Sequence, residues 1–444
     1  MSARSTAALL ALIASVAACA QSTDDEAEEV ASDEAPLLLD LLNVKTLPNN
    51  FPLPHTNGLA ATHSTLGNLN FRNAFHTPQG DNGRACVTCH LADAGWSVRP
   101  DQIQGYFLLT GGKHPIFNPL DANNQNDPRA VSNNPLERAA AYSQLLKGLF
   151  RRGSTPAEAT REFDIVAAND PFGWGSTTRI SVWRRSMPTT NFRTHARTAD
   201  GEIGPIGWDH GSATLFAQAE NNIRTGQHGP PASTVPGDPV VVQEMVDYEA
   251  SFVTANVFLV DVGALDACGG RGGTGALIGQ QPVDAPFNLY SNWLSGSCAT
   301  AKRKSVARGE VLFNTRTRAN GGGTCRGCHN AQNSGSNING TLFNIGTSDE
   351  RWRTPEMPIY TLKNRVTGEE IRTTDPGRAN RSGRWADINR FKTPSLRAVS
   401  SHPPYFHNGI CKDLLCVVKF YEQSLGFDFN ASEEQDLVNF LRAL

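Results

Sequence analysis

Residues 86 to 90 read Cys86-Val87-Thr88-Cys89-His90, and the pattern returns 239 positions later as Cys325-Arg326-Gly327-Cys328-His329. Two residues between the thiols let one tight turn present both sulfurs to one edge of a macrocycle, with the next imidazole placed under its metal. In an exported protein this is the pattern of covalent haem attachment, the thiols adding to the vinyl groups and His90 and His329 serving as proximal iron ligands. Two copies imply two c-type haems, held by Cys86, Cys89 and His90 and by Cys325, Cys328 and His329. A zinc site or a thioredoxin-like redox pair also uses C-x-x-C. With 11 His among 444 residues, chance placement of His after both pairs has a probability of about 0.0006.

Outward from the motifs, Leu66, Leu69, Phe71 and Phe75 form a loose apolar stripe before the turn at 79–83, which reads as a short helix entering the first haem loop. Val306, Gly309, Leu312 and Phe313 repeat the arrangement before the Gly321-Gly322-Gly323 turn. Leu136, Ala139, Ala140, Leu145 and Leu146 have helical spacing, and the apolar residues of 240–262 suggest a helix joining two modules. Residues 162–167 and 180–183 are rich in β-branched and aromatic residues and read as a small hairpin or sheet. At the end of the chain, Ser432 to Gln435 fits a capping box. Leu437, Phe440, Leu441 and Leu444 follow at the positions of an amphipathic helix. With 40 Gly, 26 Pro and 39% apolar residues, short helices and long loops are expected. The expected fold is mainly α: two cytochrome c-like haem domains with long loops and a small β insertion in the first.

The N-terminus carries Arg4 and an apolar run from Ala7 to Ala18, too short to span a bilayer and typical of a signal peptide. Val16-Ala17-Ala18-Cys19 resembles a bacterial lipobox, which would leave Cys19 lipidated; ordinary signal cleavage to a soluble periplasmic protein is the alternative. From Gln21 to Ala35 there are seven acids and no base, the composition of a solvated tether. Loss of Arg4 takes the formal charge from −3 to −4, which gives no basis for nucleic-acid binding. The expected division is a signal peptide at 1–18, an acidic lipoprotein tether at 19–40, an N-terminal module at 41–245 and a C-terminal module at 246–444. The expected location is the periplasm or cell envelope, with a lipid anchor in the outer membrane. Four cysteines then remain, Cys268, Cys298, Cys411 and Cys416, which allow three pairings; proximity favours 268 with 298 and 411 with 416.

Further blocks stand beside the two haem motifs. They are Met187-Pro188-Thr189-Thr190-Asn191, Trp208-Asp209, Phe391-Lys392-Thr393-Pro394-Ser395-Leu396-Arg397 and Pro404-Tyr405-Phe406-His407-Asn408-Gly409. In these blocks and their order, residues 60–444 resemble the bacterial dihaem cytochrome c peroxidases and their MauG-like relatives. The resemblance implies that the N-terminal haem meets hydrogen peroxide and the C-terminal haem relays electrons. It implies a sixth ligand on the second haem twelve residues after Gly409, which is Tyr421; peroxidases carry Met there and the MauG-like branch Tyr. A phenolate favours oxidised iron where a thioether favours reduced iron. Met357 is the rival ligand. The resemblance makes Trp208 the indole between the haems, and Gln218 the first of two acid/base positions. The second, a Glu in the family, is absent, and His228 is the candidate for its role. His114 and His195 fall where a displaceable cap on the first haem would lie, neither matching well, so that haem is expected to be open. His407 is expected to be a supporting hydrogen-bonding residue. A calcium ion between the modules is also implied, with His402 and Pro404 marking a candidate site. The partners implied are hydrogen peroxide and either an electron-donor protein or a protein substrate, the missing Glu and Tyr421 favouring the latter. A non-catalytic dihaem electron carrier is the alternative.

Overall fold

A computed structural model describes residues 44–228 and 237–444. The expected signal peptide, Cys19 and the acidic tether lie outside the described residues. None of the helices described is long and apolar enough to cross a membrane.

The C-terminal module forms around a helix crossing. The Ala301–Thr315 helix is capped by Thr300, whose side chain accepts from the Arg303 amide. It lies across the Ala431–Arg442 helix, and Gly309 sits at the contact, where an added Cβ would lie 2.0 Å from the Asp436 carbonyl oxygen. The missing side chain is what lets the backbones approach. Asp436, buried at the crossing, accepts from Ser305 Oγ at 2.6 Å and pairs with Arg308. Phe287 and Phe313 meet Phe440 edge-on or tilted, at 5.4 and 5.5 Å between ring centroids. The expected terminal helix therefore exists and buries Leu437, Phe440 and Leu441. Its cap, however, is Asn430 paired with Glu433, two residues before Ser432.

The first module departs from the same plan. The expected lead-in helix at 66–75 is instead the strand Asn68–Asn70 and a single 3-10 turn at Ala74–His76. The expected helix at 240–262 ends at Ala250, since Pro239–Ala250 is helical but Phe252–Leu259 is a strand. The β-branched Val253, Thr254 and Val257 suit that strand. It pairs antiparallel with Gly58–Ser64, in a four-stranded sheet completed by Pro52–His55 and Gly263–Ala264. The 245/246 boundary thus falls inside a helix that feeds a shared sheet.

The β insertion is also shared. Phe163–Asn169 pairs with Ile359–Asn364 of the C-terminal half, while Val182–Arg184 pairs with Phe150–Arg152. Strands occur near both expected ranges, at Phe163–Asn169 and Val182–Arg184, but they do not pair with each other. Thirteen strands in five small sheets occur among the described residues, so "mainly α" gives way to a mixed architecture. Both disulfides form as the spacing suggested, Cys268 with Cys298 and Cys411 with Cys416.

Candidate functional site

The four remaining cysteines among the described residues are unpaired and partly buried, two in each C-x-x-C-H turn. Burial pushes the Cys89 thiol up to about 11 and Cys325 up to about 12, and raises Cys86 and Cys328 as well. A thioredoxin-like pair needs the opposite shift. A structural zinc site needs four donors, and no cluster of three or more His, Cys, Asp or Glu poised for a metal occurs among the described residues.

The histidines suit haem ligation. His90 Nδ1 bonds the Trp96 carbonyl at 2.9 Å, and His329 Nδ1 bonds the Gly335 carbonyl at 2.6 Å. Each acceptor lies six residues downstream. A carbonyl on Nδ1 fixes the tautomer and orientation and leaves Nε2 as the ligating nitrogen. Burial lowers both imidazoles to about 4, so they are neutral at physiological pH.

Each motif opens into a cavity. The N-terminal one is lined by Cys86, Cys89 and His90 with Phe75, Gln218, Asn222, Gln227 and Glu249. Arg84, Arg152 and Arg184 line it too, the first two paired with Asp121 and the third with Asp209 and Asp375. Gln218 stands on the Leu215–Asn222 helix, and its Oε1 is buried without a hydrogen-bond partner. His228 is not part of this lining. It ends the turn at Ile223–Gln227 with Nδ1 3.5 Å from the exposed Asp81 carboxylate. Its neighbour Gln227 lines the cavity instead, with Nε2 3.9 Å from Cys86 Sγ.

Glu249, which the sequence reading passed over, is 2% exposed and lines the same cavity. Burial pushes its carboxyl up to about 8. Spacing is the only sequence sign: Val242, Met245 and Glu249 share the buried stripe of the Pro239–Ala250 helix. His114 stacks on Tyr106 at 4.1 Å, and His195 Nδ1 accepts from Lys392 Nζ at 3.2 Å; neither lines the N-terminal cavity.

The C-terminal cavity is lined by Cys325, Cys328, His329, Tyr421, Trp208, Lys392 and His407 among others. Burial and the neighbouring Cys325 and Cys328 raise the Tyr421 phenol well above its ordinary value. Met357 is packed with Leu149 and Trp183 and does not line this cavity. Lys392, buried and without a carboxylate partner among the described residues, is lowered by burial to about 8. It and Arg318 are the cations available here to anionic groups of a cofactor. His407 stacks on Phe391 at 3.8 Å with Nε2 3.6 Å from Asp375, consistent with a supporting role.

Two residues, Arg185 and Ser186, line both cavities. Trp208 Nε1 donates to the Arg185 carbonyl at 2.9 Å, which pins the indole to the segment between the two sites. Beneath it, the Arg184 guanidinium holds Asp209 and Asp375 below the usual carboxylate range, with contacts of 2.7 Å to each.

The calcium expectation meets a different arrangement. The carbonyls of His402, Pro403 and Pro404 all accept hydrogen bonds from the Arg185 side chain. A guanidinium already fills the place where the ion was expected, so the residues present do not fit calcium.

No family model matches the chain. Among known proteins, it is similar to "Cytochrome-c peroxidase IdrP2" of Denitromonas iodatirespirans, 33% identical over 174 residues, 36% of this chain and 44% of that protein. "Cytochrome-c peroxidase IdrP1" of Pseudomonas sp. (strain SCT) is 25% identical over 305 residues, 61% and 72% of the two chains. "Methylamine utilization protein MauG" of Methylophilus methylotrophus is 27% identical over 173 residues, 36% and 41%. The match therefore spans less than half of two of these relatives. A solved structure of "a MauG-like protein associated with microbial copper homeostasis" aligns over 84% of this chain and 86% of that one, at 15% identity and a TM-score of 0.41.

Proposed function

From its kinship with the cytochrome c peroxidases and MauG, we propose that this chain is a dihaem c-type oxidoreductase. It reacts with hydrogen peroxide at the N-terminal site and transfers electrons through the C-terminal one. The observation that carries the proposal is the asymmetry of the two cavities. Beside His329, Tyr421 lines the C-terminal cavity and would be a second residue to hold the haem iron. Beyond His90, no His, Met or Tyr lines the N-terminal cavity among the described residues. One haem would be closed and one left open to a small oxidant.

When bound, the haems supply the redox chemistry, in which peroxide takes two electrons and two protons to give two waters. The chain supplies protons and a path. Glu249, protonated below about pH 8, can donate a proton into the N-terminal cavity, and Gln218 Oε1 can accept a hydrogen bond from an oxidant bound there. Trp208, tied to Arg185 between the cavities, is placed to relay an electron. Tyr421 favours the oxidised state of the second haem, which supports oxidation of a protein partner over simple peroxide removal. The chain would act in the periplasm or cell envelope, following the signal-like N-terminus and Cys19.

Carbon monoxide added to the fully reduced protein tests the asymmetry. Binding at one haem of the two is expected; binding at neither would leave a six-coordinate electron carrier and end the peroxidase reading. Peroxide added to the ferric protein, followed by oxidation of candidate protein partners, then separates the two substrates.

A further inference from the structure

Arg185 carries a buried positive charge that no salt bridge balances among the described residues; Asp101 acts on it only at a distance and is itself paired with Arg99. The residue is 5% exposed. Its guanidinium instead meets five backbone carbonyls. Nε donates to Pro404 O at 3.2 Å and Nη1 to Gly148 O at 2.8 Å. Nη2 donates to Val98 O at 2.7 Å, Pro403 O at 3.0 Å and His402 O at 3.3 Å. Two acceptors come from the N-terminal half and three from the C-terminal half.

A shell of neutral oxygens converging from separate segments is a donor set that suits a hard cation. Its dipoles sum to a negative potential, so the cage is unfavourable when empty and favourable around a positive charge. The backbone is shaped to the guanidinium. Gly148 has φ +76°, and a Cβ there would lie 2.1 Å from Arg185 Nη1.

We infer that Arg185 is a built-in cation that replaces the calcium implied between the two haem modules. It joins the halves through its five carbonyls and holds Trp208 through its own. Arg185 also lines both cavities, so its charge, acting over that short range, would raise the reduction potential of each haem by favouring the form with the extra electron. None of this depends on the protein using peroxide.

The test uses the dihaem holoprotein. After exhaustive treatment with EGTA, metal analysis should find no calcium, and the melting temperature and both midpoint potentials should be unchanged. One calcium per chain, or a fall in melting temperature on chelation, would overturn the inference. Arg185→Gln empties the cage, so it should melt lower, recover about 3 °C on addition of millimolar calcium, and show both potentials shifted negative. Arg185→Lys, which keeps the charge, should hold the potentials near those of the native protein. A Gln variant as stable as the native protein without calcium, or one that calcium cannot restore, counts against a cation cage. Unmoved potentials count against the electrostatic role. If neither variant folds, the chelation result on the native protein decides.

Discussion

Glu249 is buried in the cavity of Cys86, Cys89 and His90 with no ion pair among the described residues, and its position makes two measurements informative. Replacing it by Gln removes the proton but keeps the shape, so peroxide reaction at the first haem should slow by about 100-fold. The native rate should fall as pH rises through about 8, the value to which burial pushes this carboxyl, and the Gln variant should lose that limb. A native-like rate in Glu249→Gln would remove it from the proton path, while His228→Ala, outside the cavity, should react as the native protein does. The same shift has a stability sign. The folded state holds the Glu249 proton more tightly than the unfolded chain, so stability contributed by this site is complete at low pH and declines from about pH 4.5 to 8. Thermal melts of the Gln variant should therefore exceed the native protein at pH 8 and match it near pH 4. Tyr421 is tested differently: Tyr421→Phe should leave both haems attached and convert the C-terminal one from low to high spin, read in the electronic spectrum. An unchanged spectrum would assign the ligand elsewhere. The place of Tyr421 in the C-terminal cavity was legible because it lies at a fixed distance after a recognisable block. Glu249 was not, because its approach to the haem site depends on how two helices pack.

At the level of elements, the C-terminal helix crossing is the firmest part of the chain and the most readable. Its apolar spacing survives in sequence because both helices present one continuous stripe to the same core. Gly309 is the exception to good helix composition, and the 2.0 Å approach to Asp436 O explains it. Gly309→Ala should destabilise the protein by about 1–3 kcal/mol through overpacking, despite the higher helix propensity of alanine, and a higher melting temperature would show that the helices can part without cost. The strand at Phe252–Leu259 was misread as helix because five of its first residues are buried on both faces. A run without alternation carries no period to distinguish the two. The 3-10 turn at Ala74–His76 was likewise misread, since one turn of either helix needs the same few apolar residues.

At the scale of the whole molecule, the halves carrying the two C-x-x-C-H turns are stitched rather than tethered. The sheet of Phe163–Asn169 with Ile359–Asn364, the sheet of Gly58–Ser64 with Phe252–Leu259, and the Arg185 cage all cross between the halves. Residues 44–245 produced alone would leave two strands with unpaired edges. They should appear aggregated or proteolysed on size exclusion and gel analysis; a monodisperse, haem-loaded fragment would show that the first module is autonomous. The two C-x-x-C-H turns, the favoured disulfide pairing and the terminal helix were legible in the sequence, because each is set by residues close in the chain or by an unbroken period. Only the tertiary structure decided that Glu249 rather than His228 faces the first site, that Met357 is remote from the second, and that a guanidinium stands where calcium was expected. Those outcomes rest on contacts between segments far apart in sequence, and above all on backbone carbonyls, which every residue carries and no sequence pattern reveals.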